Sequence, residues 1–427
     1  LIKKAETTSI INAVVHASPG IGKFSTETIK AYNQENYLKF MCTTVAFHPA
    51  NSYVNLLLKI FPFIKKRLKN RFFTDVPDHK IKLYPWKEVC RLLAVRFLSL
   101  KSADIIWEWA ELNFDKWVAR KLNHSVKIVH CYEHAALSTF ERAQQINCFK
   151  ILEQTSQHYS FYEALLNEQF KQYPLLKSEY NEHISGKLFS KRNKRKQKEC
   201  ELADLIICNS TFTLKTLINA GVDENKILKI PLAYPVISDT HSKNEEKKQF
   251  IFICIGSLSI RKGTHILLEV WRKYFADCAD ARLILAGSNS LPKEFTENLP
   301  LNIEFKGFLG KSDLNELYEN ADLLVFPTLA DGFGMVITEA MANGLTVLTT
   351  NNSAGYDLID NDVDGFLVEA GNADQLAKKM LWIKQNKTIL PEMSRLILEK
   401  AKKYQWSDYR ALLIKSISER YQNHLNP

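Results

Sequence analysis

Glycine and proline are scarce in this 427-residue sequence, 15 and 13 in number, while 46% of it is hydrophobic. Collagen-like repeats and intrinsic disorder are thereby excluded. No apolar run reaches membrane-spanning length: the longest, 250–258 and 321–327, fall far short of about 20 residues. The eight cysteines form no CxxC pair and no His/Cys cluster of zinc spacing. Several sit in apolar runs, which predicts reduced core thiols and a cytoplasmic protein. Acidic residues are in deficit too, 47 against 57 Lys and Arg, for a net charge of +10. The deficit is local. Residues 1–240 hold 35 basic and 23 acidic residues, whereas 241–427 hold 22 and 24. A basic half joined to a near-neutral one predicts two domains with different partners.

What is present is a regular alternation of strand and helix signals, clearest where 11 of the 15 glycines lie, between 256 and 371. Apolar runs at 250–255, 282–286, 303–305, 323–326, 347–350 and 366–368 suit strands buried on both faces. Helical stretches follow most of them. Asp313 and Glu316 predict a capping box, and Gly344 a helix stop. In the first half 10–15, 127–129, 150–152 and 205–208 read as strands and 211–219 as a helix closed by Gly221. The stretch 51–122 reads as mainly helical and cationic. Such alternation means right-handed βαβ units and parallel sheets. The expected fold is α/β, with two Rossmann-like domains, 1–238 and 239–402, joined across the polar stretch 236–249. The tail is helical, and its last part, 403–427, is expected to pack back on the first domain.

The segment 327–344, PTLADGFGMVITEAMANG, follows an apolar strand and opens a helix. Ligands of doubly wound sheets bind beside such loops, at the carboxyl ends of the strands. Gly332 and Gly334, flanking Phe333, permit close backbone approach. The amides through Met335 and the helix dipole favour a phosphate. Asp331 in the loop and Glu339 about a turn into the helix are acceptor-only groups, each able to hold two neighbouring hydroxyls. That suits a ribose diol and a sugar at the two ends of a diphosphate. The earlier loop 256–263, GSLSIRKG, has the same setting. Beyond Gly256 and Ser257, its Arg261 and Lys262 stand where cations meet a diphosphate and stabilise it as a leaving group.

Over 250–385 these motifs resemble glycosyltransferase family 4, retaining enzymes of the GT-B fold, in which two Rossmann-like domains face a central cleft. The likeness continues more weakly through the first half. The family's E-x7-E pattern corresponds to Asp331 and Glu339, with GFG between them and EAMANG after. Its phosphate loop corresponds to Gly256, Ser257, Lys262 and Gly263. The resemblance implies that Glu339 holds the ribose hydroxyls, that Asp331 and the amides around Phe333 and Gly334 hold the donor sugar, and that Lys262 binds the diphosphate. Asp331 stands for the usual Glu, which shortens the reach to the sugar. Ser257 stands for the usual phosphate-binding Arg, with Arg261 as its substitute. The implied reaction is retaining transfer of a hexosyl or similar unit to a hydroxyl of a glycan or glycolipid, in cell-surface polysaccharide or glycolipid synthesis. The implied donor is a UDP- or GDP-linked sugar, with no cofactor and no essential metal.

The first half is then the acceptor side. Gly20 and Gly22, Glu133 and His134, and His158 each follow a predicted strand and are its cleft candidates. His158 matches in position a family histidine and joins Asp331, Glu339 and Lys262 as a catalytic candidate. Two clusters carry the charge surplus: 61–73, with five cations among four phenylalanines, and 187–198, with seven cations in twelve residues expected on an exposed helix. Cations interleaved with aromatics suit an anionic bilayer. The expected partners are therefore a nucleotide sugar, a glycan or lipid-linked acceptor, and an anionic membrane surface, with the protein peripheral on the inner face of the membrane. No helix-turn-helix, zinc-finger or RNA-binding aromatic motif accompanies the charge, which argues against nucleic acid. Two other functions fit the fold. A catalytically inactive GT-B subunit binding a membrane or partner is motivated by Asp331 and Ser257, and a nucleotide-sugar 2-epimerase is disfavoured by the GFG–EAMA motif.

Overall fold

The computed structural model describes residues 10–46, 73–237 and 249–426. Each half builds one sheet. The first has seven strands: β1 (Val14–Ala17), β2 (Leu38–Thr43), β3 (Ile81–Leu83), β4 (Ile128–Tyr132), β5 (Phe149–Gln154), β6 (Leu205–Cys208) and β7 (Ile227–Lys229). Their order is β3-β2-β1-β4-β5-β6-β7. The second has six: β8 (Phe250–Ile255), β9 (Ala281–Ala286), β10 (Ile303–Gly307), β11 (Leu323–Phe326), β12 (Val347–Thr350) and β13 (Phe366–Val368). Their order is β10-β9-β8-β11-β12-β13. Every pairing is parallel. Strands such as β11 and β12 are buried at every residue, as helix-covered parallel sheets require. The order of each sheet reverses at one point, between β1 and β4 and between β8 and β11. Crevices at the carboxyl ends of strands beside such points are where these folds bind ligands.

Several boundaries differ from expectation for local reasons. The first strand begins at Val14 because Asn12 takes a φ of 53° and its amide donates to the Asn36 carbonyl at 2.8 Å. The helix Lys311–Asn320 begins two residues before Asp313, after Gly310 and without a side-chain cap, so the capping box does not form. By contrast the helix Thr211–Asn219 falls where its sequence puts it, with Ser210 Oγ accepting from the Thr213 amide. Residues 238–248 of the linker, and 51–72 of the cationic stretch with nearly all of the 61–73 cluster, lie outside the described residues. The helices Pro85–Phe97 and Leu100–Ala119 occupy the rest of that stretch. All eight cysteines are free and six are buried.

The helix Leu390–Lys402 packs on Met335–Ala342, and Lys400 Nζ reaches the Leu358 carbonyl and Asp360 of the second domain at 3.1 and 2.8 Å. The last helix, Trp406–Leu425, lies on the first domain against Lys23–Gln34. There Tyr409 Oη is 3.1 Å from Thr28 Oγ1, and Arg410 pairs with the buried Glu27.

The two domains are shut on one another. The Gly332 carbonyl accepts from Ser210 Oγ and, at 3.3 Å, from Thr213 Oγ1. The Asp357 carboxylate accepts from the Thr211 amide at 2.7 Å, and Tyr173 Oη donates to Glu269 at 2.9 Å. His265 Nε2 lies 2.8 Å from Gln169 Oε1, which leaves Nδ1 buried without a partner. Burial pushes the His265 pKa from 6.5 down to about 4. A folded value below the unfolded one gives a contribution complete above the unfolded pKa and lost as pH falls through the folded one. About 3 kcal/mol of stability is expected to vanish across that window. Denaturant unfolding at a series of pH values checks it, and H265N should flatten that part of the slope.

Candidate active site

A cavity of about 610 Å³ opens between the domains, walled by Arg261, Lys262, Asp331 and Phe333 on one side and by Thr155, Tyr159 and Asn209 on the other. The second-domain wall is two loops stitched together. The Arg261 carbonyl accepts from the Leu329 and Ala330 amides at 2.9 and 3.2 Å and from Thr328 Oγ1 at 3.1 Å. This brings the loop after β8 against the loop after β11. Gly263, at a φ of +64°, turns the first loop there, and a Cβ on it would strike the Pro327 carbonyl.

Once the loops are joined, Lys262 Nζ meets the Asp331 carboxylate, with the two side chains 14% and 13% exposed. Lys262 also lies over the Phe326 ring at 4.8 Å. Asp331 Oδ1 faces the Phe333 amide at 3.4 Å. Burial, and then the neighbouring Arg261 charge, pull the Lys262 ammonium well below the usual lysine range. A carboxylate in contact with an ammonium favours the charged form and so opposes that shift. Arg261 lines the cavity, and its guanidinium makes no hydrogen bond or ion pair among the described residues; burial lowers its pKa. Gly334 and Met335, which begin the helix Met335–Ala342, complete this wall. Gly332 is pressed against the other domain. A Cβ there would fall inside the van der Waals shell of the Thr155 carbonyl and 2.6 Å from Ser156 Cα.

Glu339 does not line this cavity. Its Oε2 accepts from Tyr318 Oη at 3.0 Å, and its pKa is raised by burial against the opposing effect of that hydroxyl. Gly256 and Ser257 also lie off the cavity wall.

The first-domain candidates are placed less directly. His158 is the N-cap of the helix Tyr159–Gln172, with Nδ1 2.8 Å from Ser160 Oγ and its amide donating to Thr216 Oγ1 at 3.0 Å. Burial lowers its pKa, and the cavity is lined by Gln157 and Tyr159 on either side of it. Gly20 is exposed, and Gly22 is the exposed N-cap of Lys23–Gln34, the helix whose Phe24 does reach the cavity. His134 is buried and stacked on Trp107 at 4.4 Å; burial, then Arg195, Lys196 and Arg192, push its pKa well down. Glu133 pairs with Lys196 Nζ at 3.2 Å, and Lys196 lines the cavity.

That last contact corrects the reading of 187–198 as an exposed cationic helix. The helix Lys187–Leu202 forms, and Lys191, Lys194 and Lys198 face outward. Arg192, however, is buried and pairs with Asp104 at 2.8 Å and Glu108 at 3.0 Å. Arg195 lies 3.6 Å from Glu108 and 3.9 Å from Glu199. Buried cations are tolerated where acids compensate them, and here the acids arrive on Leu100–Ala119. The i, i+4 pair Asp104–Glu108 on one helix face was the available sequence signal. Asp104, Arg192 and Lys196 all line the cavity, as does Asn209, whose Nδ2 donates to Glu153 at 3.3 Å and to the Ile230 carbonyl at 3.1 Å.

Residues 237–404 match the family model described as glycosyl transferases group 1. An uncharacterized glycosyltransferase of Methanocaldococcus jannaschii, MJ1607, is 30% identical over 31% of this chain and 35% of its own length. The capsular polysaccharide biosynthesis glycosyltransferase CapM of Staphylococcus aureus is 27% identical over 42% of this chain and 51% of its own. The chain thus spans about half or less of the length of these curated relatives. Among solved structures, Anabaena Alr3699/HepE in complex with UDP-glucose superposes with a TM-score of 0.62 at 16% identity, over 95% of this chain and 99% of that one. No helix among the described residues is long and apolar enough to cross a membrane. By its two sheets and their cleft the chain has the GT-B fold, and its second domain is similar to the glycosyl transferases of group 1.

Proposed function

We propose that the chain transfers a sugar, with retention of configuration, from a nucleotide sugar to a hydroxyl of a glycan or glycolipid acceptor. The observation that carries this is the Asp331 carboxylate, held by Lys262 beside the Phe333 amide, with Arg261 unpaired in the same cavity. Hydroxyls of the donor sugar suit Asp331, and the diphosphate suits Arg261, Lys262 and the start of the Met335–Ala342 helix. Glu339, oriented by Tyr318, suits the ribose diol at the far end of the nucleotide. As the bond from the anomeric carbon to the diphosphate breaks, negative charge grows on the leaving oxygen. The two cations and the helix amides stabilise it there without an essential metal. The acceptor oxygen bonds to the anomeric carbon from the same face and passes its proton to the departing phosphate, so no strong general base is assigned.

Support comes from the group 1 match and from relatives named as glycosyltransferases. CapM is named for capsular polysaccharide biosynthesis, which supports a cell-surface glycan product. Alr3699/HepE was solved with UDP-glucose, which makes UDP-sugars the first donors to try. A thermal-shift screen of UDP- and GDP-sugars, followed by product analysis with the best binder, tests the reading. An inverted anomer in the product removes retention. An unaltered chain that binds donors but neither transfers nor hydrolyses them favours the inactive subunit. R261A is expected to raise the donor KM about tenfold or more with the fold intact; an unchanged KM removes Arg261 from the diphosphate site.

A further inference from the structure

The helix Pro85–Phe97 is folded with its polar side inward. Glu88 is buried, Arg91 pairs with it at 2.6 Å, and buried Ala94 follows, on a helix that packs against Leu100–Ala119. Glu111 of that neighbour lies within reach of the same charges, and burial pushes its pKa up to about 7. The outward side is one stripe at i, i+3, i+4, i+7 and i+11: Trp86, Val89, Cys90, Leu93 and Phe97. Trp86 is 78% exposed and Phe97 71%. Leu100, Ile105 and Trp109 extend the exposed apolar surface onto the second helix. A water-facing helix has the opposite arrangement, and large exposed apolar side chains gathered on two helices packed together mark an interaction surface, with Lys87 Nζ lying over the Trp109 ring at 3.7 Å.

Charge says what the partner is. Residues 79–103 contain six Lys and Arg and one acid, Glu88, which is buried. Arg96, over the Phe97 ring at 5.7 Å, borders the stripe, and Lys82 in β3, just before the helix, is exposed too. An apolar helix face bordered by cations is the pattern of a helix lying in a bilayer interface, where anionic headgroups meet the cations.

We propose that this helical pair docks the protein on an anionic lipid bilayer, with the Trp86–Phe97 stripe immersed in the interface. Its residues are other than those of the 61–73 and 187–198 clusters, and the proposal does not depend on the sugar chemistry. It has a bearing on that chemistry nonetheless. Asp104, the residue before exposed Ile105, lines the cleft cavity. Docking therefore brings that wall within about a helix diameter, ~10 Å, of the lipid.

Co-sedimentation of the full chain with phosphatidylcholine vesicles, with and without phosphatidylglycerol, tests this. The unaltered protein is expected to bind the anionic vesicles and to bind pure phosphatidylcholine weakly. W86S/L93S/F97S should lose about a hundredfold in vesicle affinity. Its circular dichroism and melting temperature should stay unchanged, because those side chains are each more than half exposed among the described residues. K82Q/R96Q should lose much of the preference for anionic lipid. The proposal is overturned if the unaltered protein ignores both vesicles, or if the triple variant binds as well as it does. A solution dimer that the triple variant dissociates, or vesicle binding that appears only after 47–72 is deleted, would assign the patch to a second copy or to this chain's own segment, and would overturn it equally.

Discussion

Replacing Asp331 with alanine is expected to reduce sugar transfer about a thousandfold or more. Two losses coincide in that variant. The cavity loses the carboxylate proposed to hold the donor sugar, and Lys262 loses its ion-pair partner. With burial and Arg261 both drawing its pKa down, removing the paired carboxylate disfavours the charged form of Lys262 further, which weakens its hold on the diphosphate. D331N separates the two. It keeps an acceptor for the Phe333 amide and the size of the side chain, yet removes the charge. Activity should remain low in D331N if charge is what matters, and recover substantially if shape is. Product formation at saturating donor is the measurement, with melting temperature as the check on folding. D331A retaining more than about a tenth of the activity would remove Asp331 from the reaction.

Gly332→Ala is the second large effect, and its cause lies at the domain boundary. The added methyl meets backbone of the loop after β5, in the other domain, 2.6 Å from Ser156 Cα. Backbone cannot rotate away as a side-chain tip can. The clash is relieved most easily by holding the cleft ajar, because neither sheet need change. A displacement of about 1 Å between reacting groups costs about a hundredfold in rate, so kcat should fall by that order while donor affinity, set mainly within the second domain, changes little. Solution scattering should report a larger radius of gyration with an unchanged melting temperature. Gly263→Ala is the contrast: its methyl would strike Pro327 within the same domain at a φ of +64°. That variant should lose stability. If G332A is as active as the unaltered chain, the shut cleft is not the reacting arrangement.

The second domain was legible in the sequence because its strands are covered on both faces. Runs such as FIFICI and LLVF admit little else, and β8, β11 and β12 fall where the runs are. In the first domain β2 carries Lys39 as its second residue, while β3 and β7 have three residues each. Such strands exist because neighbours pair with them, and pairing is not written locally. The site divides in the same way. Asp331 and Lys262 could each be named from their loops, but their contact spans 69 residues and needed the loops to be stitched. The 187–198 cluster was visible as charge. Its inward half was not, because Asp104 and Glu108, which compensate Arg192, precede it by 84 to 88 positions. His158 adds a role that its position did not announce: the cleft candidate is also the N-cap of the helix Tyr159–Gln172.

The return of the last helix to the first domain has a mechanical consequence. The backbone passes between the sheets twice, once between β7 and β8 and again between Lys402 and Trp406. Tyr404 fastens these passages together: its hydroxyl donates to the Pro231 carbonyl at 2.9 Å, and its own carbonyl accepts from the Tyr234 amide at 3.2 Å. A single strand of chain would let one half swivel against the other. Two strands bound side by side resist that twist and leave bending along a common spine as the soft motion. The halves then open and shut like the covers of a book, and a donor carried on one cover meets the same spot on the other at each closing.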